Sequence, residues 1–358
     1  MTWSFHPYTL PLSRPYSWAK GIQTQRRGLL VAHTVEGVTG WGEVAPPPNL
    51  DVDPVEIATY ARKTMRVVMA QEDVPAALDA AGCGPRLRAG LAGAWLDAQA
   101  RLQGLPLAQF LARRLREDPV REPAQRIPVN ALVTAQEPLA CARDAQLAVA
   151  SGYTTLKLKS DGNAVRDVAR LQAVREAVGA KVALRLDANE SYHPAEAQVI
   201  LESLAPFNLE YVEQPVPAAH RDAIARLLQD SPVPIALDES ASSWLAVSAF
   251  SSLKPILILK PQRLGGADRT ATFLAKAQDA GLRCVVTNSL ETAVGRAHAL
   301  HTAALLAQPL PACGLATEAY LAQVVAELRS SSGWMTLPEG PGIGLDARVE
   351  APHATRLE

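Results

Sequence analysis

The chain has 358 residues, more than a single hydrophobic core usually supports; 48 % of them are hydrophobic and 20 % are charged. Its 35 basic and 36 acidic residues leave a net charge of −1, and no block of lysines or arginines interrupts the sequence. This composition predicts a globular protein with one large and one smaller domain, and it excludes a charged surface for nucleic acid or for an anionic membrane.

Residues 1–18 contain three prolines and no apolar segment typical of a signal peptide, and no apolar run of 18 residues follows. Four cysteines are scattered without Cys-x-x-Cys spacing: Cys83, Cys141, Cys284 and Cys313. We expect them to be reduced, mostly buried thiols and not disulfides or zinc ligands. These features predict a cytoplasmic protein that does not enter a membrane.

The first 50 residues have the alternation of an antiparallel β-meander. Strands are predicted at Trp3–Leu10, Gly28–Val35 and Val38–Val44, with a turn at Glu36-Gly37. Two longer segments, Ser13–Gly21 and Ala45–Leu50, fit either surface loops or covers over a pocket.

Helical spacing replaces this alternation in the next part of the chain. Asp53 is a good N-cap for a helix at Pro54–Met69, and apolar residues recur at helical spacing through Pro85–Gly104. Strands followed by helices predict an α+β domain over residues 1–123, which ends in a linker at Asp118–Pro123.

Short apolar strands then alternate with amphipathic helices. Strands are predicted at Pro128–Val133, Thr154–Ser160, Lys181–Asn189, Leu209–Gln214, Pro234–Glu239, Pro255–Lys260, Leu282–Asn288 and, weakly, Ala312–Thr317. Helices are predicted between them, for example at Asn163–Val178, Pro194–Leu204 and Ala267–Ala280. Eight such units over residues 124–319 predict a parallel sheet that closes into a barrel, while residues 320–358 are irregular and are expected to return to the first domain.

Five charged residues stand at the ends of successive predicted barrel strands: Lys159, Asp187, Glu213, Asp238 and Lys260. Each follows the previous one by 22 to 28 residues, which is about one βα unit. A single carboxylate at a strand end is most often a helix cap or a solvated charge, but a series of five predicts one site at the C-terminal rim of the barrel.

Three carboxylates on neighbouring strands offer the hard oxygen ligands that Mg²⁺ prefers, and we expect Mn²⁺ to be able to substitute. Lys159 and Lys260 are predicted to face each other across this metal. The arrangement suits removal of a proton α to a metal-bound carboxylate, since the cation stabilises the resulting enolate. Lys157 lies on the same strand face as Lys159, where it either lowers the pKa of Lys159 or forms an ordinary ion pair.

Together these residues resemble the enolase superfamily, muconate-lactonising subgroup. The resemblance rests on the Lys157-x-Lys159 strand, the Asp/Glu/Asp series and the segments Gly40–Pro46, Lys260–Gly266 and Gly340–Leu345. It implies a modified TIM barrel, (β/α)7β, with an N-terminal α+β capping domain completed by the C-terminal tail. It also implies Asp187, Glu213 and Asp238 as metal ligands, Lys159 and Lys260 as acid–base residues, and Asn189 and Glu239 as supporting residues.

Within that superfamily, Arg26–Val31 and Thr287–Gly295 are most similar to the o-succinylbenzoate synthases of menaquinone biosynthesis. The resemblance implies a dehydration in which Lys159 removes the α-proton and then protonates the leaving hydroxyl, while Lys260 stabilises the enolate. Ser289 and its neighbours are expected to receive the substrate's succinyl carboxylate through backbone N–H groups. Asn288 departs from the serine-rich loops of these enzymes.

Other functions stay open at this point. N-acylamino acid racemases also use two opposed lysines, and muconate cycloisomerase is a further candidate. Dipeptide epimerases usually carry Asp-x-Asp at the last strand, whereas Cys313–Glu318 has no such pair. A non-catalytic scaffold is disfavoured by the complete set of charges. The expected partner is a small-molecule carboxylate, and homo-oligomerisation is left open.

Overall fold

The structure is a computed structural model, and it describes residues 1–18, 21–47, 50, 52–115, 122–321, 326–347 and 355–357. Among these ranges, no helix combines the length and the apolar character that crossing a bilayer requires. All four cysteines are free thiols, and three of them are buried.

The chain begins with an antiparallel sheet formed by β1 (Thr2–Trp18), β2 (Gly21–Val35), β3 (Val38–Val44) and β13 (Thr355–Leu357), in the order β13-β1-β2-β3. Glu36 and Gly37 turn the chain between β2 and β3 with positive φ angles of 52° and 77°, as expected for a tight hairpin.

The prediction of a loop at Ser13–Gly21 is wrong where the structure describes that segment. Residues up to Trp18 continue β1 and pair with β2, and residues 19–20 lie outside the described residues. The register shifts between Pro11 and Tyr16. Prolines beside this irregularity hide the alternation that identifies a strand in the sequence.

Four helices follow this sheet: α1 (Pro54–Val68), α2 (Val74–Ala80), α3 (Pro85–Leu102) and α4 (Leu107–Leu115). Asp53 caps α1 as predicted, because its side chain accepts a hydrogen bond of 2.9 Å from the Val55 N–H. The helix α3 lies against β3 at very close range. A Cβ on Gly42 would lie 2.0 Å from the Gly90 carbonyl oxygen, so glycine is required there. Most of the predicted linker, residues 118–121, lies outside the described residues.

A curled sheet of seven parallel strands forms the larger part of the molecule. Its strands follow chain order: β5 (Ala131–Val133), β6 (Thr155–Lys159), β7 (Ala183–Asp187), β8 (Leu209–Glu213), β9 (Ile235–Leu237), β10 (Ile256–Leu259) and β11 (Cys284–Val286). The helices around them are α5 (Pro138–Ala150), α6 (Ala164–Val178), α7 (Ala197–Leu204), α8 (Arg221–Asp230), α9 (Trp244–Ser248), α10 (Pro261–Leu264), α11 (Ala267–Asp279) and α12 (Ala293–Ala303). This alternation is consistent with the expected modified TIM barrel.

The two ends of the curled sheet differ from the predicted strands. The segment expected as one strand, Pro128–Val133, divides into β4 (Arg126–Pro128) and β5, and β4 pairs with β12 (Trp334–Thr336). The weak eighth strand is reduced to two parallel bridges, Cys313 with Val129 and Gly314 with Thr287. These bridges link the residues before β5 to those after β11, and they bring the two edges of the sheet together.

The C-terminal tail contacts the first part of the chain. The Gly342 N–H donates to the Leu105 carbonyl at 2.8 Å, and β13 pairs with β1. Asp97 of α3 joins both regions, because its carboxylate accepts hydrogen bonds of 2.7 Å from the N–H groups of Trp41 and Ile343. Arg101 donates a third bond to the same carboxylate at 3.0 Å.

Replacing Asp97 with alanine is expected to reduce the free energy of unfolding by about 3 to 5 kcal/mol, since it leaves two buried N–H groups and a guanidinium without their acceptor. Urea unfolding followed by circular dichroism measures this change. The control is Asp279→Ala, which removes an exposed aspartate of α11 and should cost less than about 0.5 kcal/mol. Equal stabilities for the two variants would show that Asp97 does not hold the tail.

Candidate active site

The predicted site residues stand side by side at the C-terminal edge of the curled sheet. Three of these residues end neighbouring strands: Lys159 ends β6, Asp187 ends β7 and Glu213 ends β8. In the strand register, Lys159 lies opposite Asp187, and Asp187 lies opposite Glu213. Asp238 and Lys260 directly follow β9 and β10. The strand register alone therefore brings all five residues to one rim.

Two lysines of β6 meet the first two carboxylates. Lys159 Nζ lies 2.6 Å from Asp187 Oδ2 and 2.9 Å from Asn189 Oδ1. Lys157 Nζ lies 2.6 Å from Glu213 Oε2 and 2.9 Å from Asp187 Oδ2. Both lysines point to the inside of the curled sheet, because they alternate with the buried residues Leu156 and Leu158, which face the surrounding helices.

Asp238, the third carboxylate, contacts two cations that follow β10, on the other side of the site from the lysines of β6. Lys260 Nζ lies 2.6 Å from Asp238 Oδ2, and Arg263 donates to Asp238 Oδ1. Lys260 immediately precedes α10, so that Arg263, three residues later, points to the same carboxylate. Arg263 was not assigned a role from the sequence, although it stands in the Lys260–Gly266 segment that carried the resemblance.

Burial and opposing charges determine how these groups ionise. Burial works to raise the pKa of Asp187, but the charges of Lys157 and Lys159 outweigh it and hold that pKa well below its usual range. Burial raises the pKa of Glu213 to about 7, and the charge of Asp187 adds to the increase. Burial works to lower the pKa of Lys157, yet Asp187 and Glu213 hold it well above its ordinary value. Lys157 thus forms the ion pair that was one of its two predicted roles.

Asn189 and Glu239, the two predicted supporting residues, also lie at this rim. The Asn189 N–H donates to Asp187 Oδ1 at 3.1 Å while its side chain accepts from Lys159, an arrangement that its positive φ of 47° makes possible. Glu239 lines the cavity above the carboxylates. Its pKa is raised to about 7 by burial and then by the charge of Asp238.

The residues present fit a divalent metal by their chemistry. Three carboxylates, each at most 1 % exposed, form a hard oxygen donor set at one rim. Glu213 Oε1 is buried, and none of the described residues donates a hydrogen bond to it. Within the described ranges, no three His, Cys, Asp or Glu side chains stand in a metal-holding arrangement, and each of the three carboxylates is paired with a lysine.

A cavity of about 370 Å³ opens above these carboxylates. Lys157, Lys159, Asp238, Glu239 and Lys260 form part of its wall, together with Asn130, Leu132, Asn189, Arg263 and the segments after β11 and around Gly314. Its size is typical of a small-molecule site, and most of the residues that line it are polar or charged, which suits a polar ligand.

The loop after β11 contributes Ser289 to the cavity, but its backbone donors are already used. The Ser289 N–H donates to Glu291 Oε2 at 2.6 Å, and the Leu290 N–H donates to Asn288 Oδ1 at 3.1 Å. The N–H groups that were expected to receive a substrate carboxylate thus hold the loop itself. The Asn288 side-chain amide also donates to Thr317 Oγ1 at 2.9 Å. An asparagine at this position therefore joins the loop after β11 to the segment around Thr317.

The first part of the chain covers the cavity through Pro47, which lies in one of the two segments expected to be loops or covers. Arg26 positions this cover, because it donates to the carbonyl oxygens of Pro46 at 2.7 Å and of Leu290 at 3.0 Å. Glu43 fixes the adjoining strand by accepting hydrogen bonds from Thr292 and Gly295 at the start of α12. Neither Arg26 nor Glu43 was assigned a role from the sequence, although both stand in the motifs that carried the resemblance.

The end of the last barrel unit presents only small or neutral groups. Gly314, Ala316 and Thr317 line the cavity. Glu318, the nearest carboxylate along the chain, is engaged by Arg296 at 2.8 Å and by the Ser330 N–H at 2.7 Å.

Residues 140–351 match a family model described as Enolase C-terminal domain-like. The N-succinyl-L-Arg/Lys racemase of Bacillus cereus is 25 % identical over 349 residues, which cover 94 % of this chain and 92 % of the racemase. The crystal structure of that racemase covers 100 % of this chain and 99 % of its own, with a TM-score of 0.90 at 22 % identity.

Two further relatives have different activities. The o-succinylbenzoate synthase of Thermobifida fusca is 40 % identical over 208 residues, which cover 56 % of this chain and 61 % of the synthase. A dipeptide epimerase from Cytophaga hutchinsonii, solved with Mg and the dipeptide D-Ala-L-Val, has a TM-score of 0.88 at 22 % identity and covers 100 % of this chain and 99 % of its own.

Proposed function

Because this chain belongs to the enolase C-terminal domain-like family, and so to the muconate-lactonising subgroup of the enolase superfamily, we propose that it is an o-succinylbenzoate synthase. The proposed reaction is the Mg²⁺-dependent syn dehydration of 2-succinyl-6-hydroxy-2,4-cyclohexadiene-1-carboxylate to o-succinylbenzoate in menaquinone biosynthesis. The observation that carries this proposal is the pair of Lys159 and Lys260 on opposite sides of three buried carboxylates. The 40 % identity to the synthase of Thermobifida fusca supports it.

The proposal also assigns three parts of the chain to two domains. Residues 1–123 form a capping domain, residues 124–319 the catalytic barrel, and residues 320–358 return to complete the cap. Contacts that support this division are the pairing of β13 with β1 and the hydrogen bonds of Arg26 from the cover to the loop after β11.

Asp187, Glu213 and Asp238 are the residues that would hold Mg²⁺. When bound, the ion acts as a Lewis acid that stabilises negative charge developing on the substrate carboxylate. The Mg in the solved dipeptide epimerase supports Mg²⁺ as the ion. Glu213 Oε1, which is buried and accepts no hydrogen bond from the described residues, supports Glu213 as one of its ligands. Lys157 contacts both Asp187 and Glu213, and its charge favours the ionised form of each carboxylate.

Lys159 is the proposed base and acid. Its neutral amine takes the proton from ring carbon 1, and the C–H electron pair moves into the carboxylate group to give an enolate dianion. The electron pair of the enolate then forms a new double bond between ring carbons 1 and 6, which restores the carboxylate as the C–O bond at carbon 6 breaks. The resulting ammonium of Lys159 gives its proton to the departing hydroxyl, so that water and the aromatic product leave. Lys260 remains charged and stabilises the enolate from the opposite face.

A second candidate is racemisation of N-succinylamino acids. Similarity to the racemase of Bacillus cereus extends over 94 % of this chain, and two opposed lysines serve a racemase equally well. Dipeptide epimerisation is less well supported, because Gly314, Ala316 and Thr317 offer no carboxylate to a substrate ammonium at the end of the last barrel unit.

One assay separates these functions. The purified protein with Mg²⁺ is expected to convert the cyclohexadiene carboxylate into an aromatic product, which ultraviolet absorption detects, and excess EDTA should stop the reaction. In parallel, proton NMR in deuterium oxide measures α-proton exchange of N-succinylamino acids. Exchange without any dehydration would reject the synthase in favour of the racemase. Lys276→Ala, which alters an exposed lysine of α11, should leave both readouts unchanged.

A further inference from the structure

Arg86 is a cation of the cavity wall that the proposed chemistry does not use. It lies in the first turn of α3, and it lines the cavity together with Lys260, Arg263 and the covering residues Pro47 and Leu290. Its Nη1 is buried, and none of the described residues accepts a hydrogen bond from it. A buried donor of a charged group without an acceptor is costly, so a ligand group is the natural partner for it.

The carboxylates whose charges act on Arg86 are already engaged by other donors. Asp238 accepts from Lys260 at 2.6 Å and from Arg263, and Glu291 accepts from the Ser289 N–H at 2.6 Å. Burial and the like charge of Arg263 lower the pKa of Arg86 to about 10. Arg86 therefore remains a cation at neutral pH, and it shares the cavity wall with the cations Lys260 and Arg263.

We propose that Arg86 binds a second carboxylate of the substrate, at the end of the molecule away from the carboxylate that the metal holds. A planar guanidinium presents two parallel N–H groups to a carboxylate, and it gains most where water is excluded. This inference rests on the proposed function, and it identifies the distal succinyl carboxylate as the group that Arg86 recognises. Arg86 takes the role that was expected for the backbone N–H groups of Ser289 and Leu290, because those groups donate hydrogen bonds within their own loop.

The experiment compares two ligands that differ in this carboxylate alone. Isothermal titration calorimetry with Mg²⁺ present measures binding of o-succinylbenzoate and of 2-butyrylbenzoate, in which a methyl group replaces the distal carboxylate. The unmodified protein is expected to bind o-succinylbenzoate about 10- to 100-fold more tightly. Arg86→Gln should bind both ligands equally, and Arg86→Lys should recover part of the preference because it retains the charge.

Arg66→Gln is the matched control, since Arg66 is exposed on α1 and should leave the preference intact. Thermal unfolding of Arg86→Gln should show the same or a higher midpoint, because the variant removes a buried cation that has no partner. A preference for o-succinylbenzoate that survives in Arg86→Gln overturns the assignment, and so does equal binding of both ligands by the unmodified protein. If the unmodified protein binds neither ligand, the proposed synthase function fails and the assignment of Arg86 fails with it.

Discussion

Replacing Lys159 with alanine is expected to reduce kcat for dehydration by about 10⁴-fold, which is the upper end of what one acid–base group contributes. Lys159 should stand at this upper end because the proposal gives it both proton transfers, first from ring carbon 1 and then to the departing hydroxyl. Its Nζ lies 2.6 Å from Asp187, so the side chain is already placed beside the position proposed for the metal-held carboxylate. Steady-state kinetics with the cyclohexadiene substrate measure the loss.

A matched variant separates the loss of the base from the loss of a charge. Lys159→Arg retains a cation that can pair with Asp187, but an arginine does not give up its proton at neutral pH and cannot act as the base. Both Lys159 variants should therefore be inactive while still binding Mg²⁺, and Lys276→Ala should behave like the unmodified protein. Activity within tenfold of the unmodified protein in Lys159→Arg would show that another group removes the proton.

Replacing Glu213 with glutamine is expected to abolish the stabilisation of the protein by Mg²⁺ and to reduce kcat by about 10³-fold. Glutamine has the same shape and can still accept a hydrogen bond from Lys157, but it removes one of the three negative charges that would hold the cation. The unmodified protein should gain about 2.7 kcal/mol in free energy of unfolding when the Mg²⁺ concentration is 100 times the Kd.

Chemical unfolding at a series of Mg²⁺ concentrations measures this gain, independently of any activity assay. Glu196→Gln is the control, because Glu196 is exposed at the start of α7 and should leave the response to Mg²⁺ unchanged. A response of full size in Glu213→Gln would remove Glu213 from the metal site. The carboxylates Asp187 and Asp238 would then have to bind the ion without it.

The five charged residues of the rim were predictable because each stands at or just after the end of a strand. Chain spacing of one βα unit is enough to place Lys159, Asp187 and Glu213 side by side, and the strand register brings them together as expected. Their roles in catalysis and metal binding remain predictions. Arg263 was missed because its contribution depends on a four-residue helix that turns its side chain back to Asp238.

The contacts between distant parts of the chain were not predictable in the same way. Glu43 caps α12 across 249 residues of sequence, and Arg26 donates to Leu290 across 264 residues. No local pattern marks such a pair, since each side chain looks like an ordinary charged residue of a strand. The extension of β1 to Trp18 was missed for a local reason, because prolines interrupt its alternation.

Periodicity along the chain is enough to predict the order of strands and helices, the burial of one strand face, and the row of charges at successive strand ends. The tertiary structure alone decided which donors of the cavity are free for a ligand. It assigned the Ser289 N–H to Glu291 and left Arg86 Nη1 without an acceptor among the described residues. Hydrogen-bond partners depend on distances of a few ångströms between segments that lie far apart in the chain, and only the folded arrangement sets those distances.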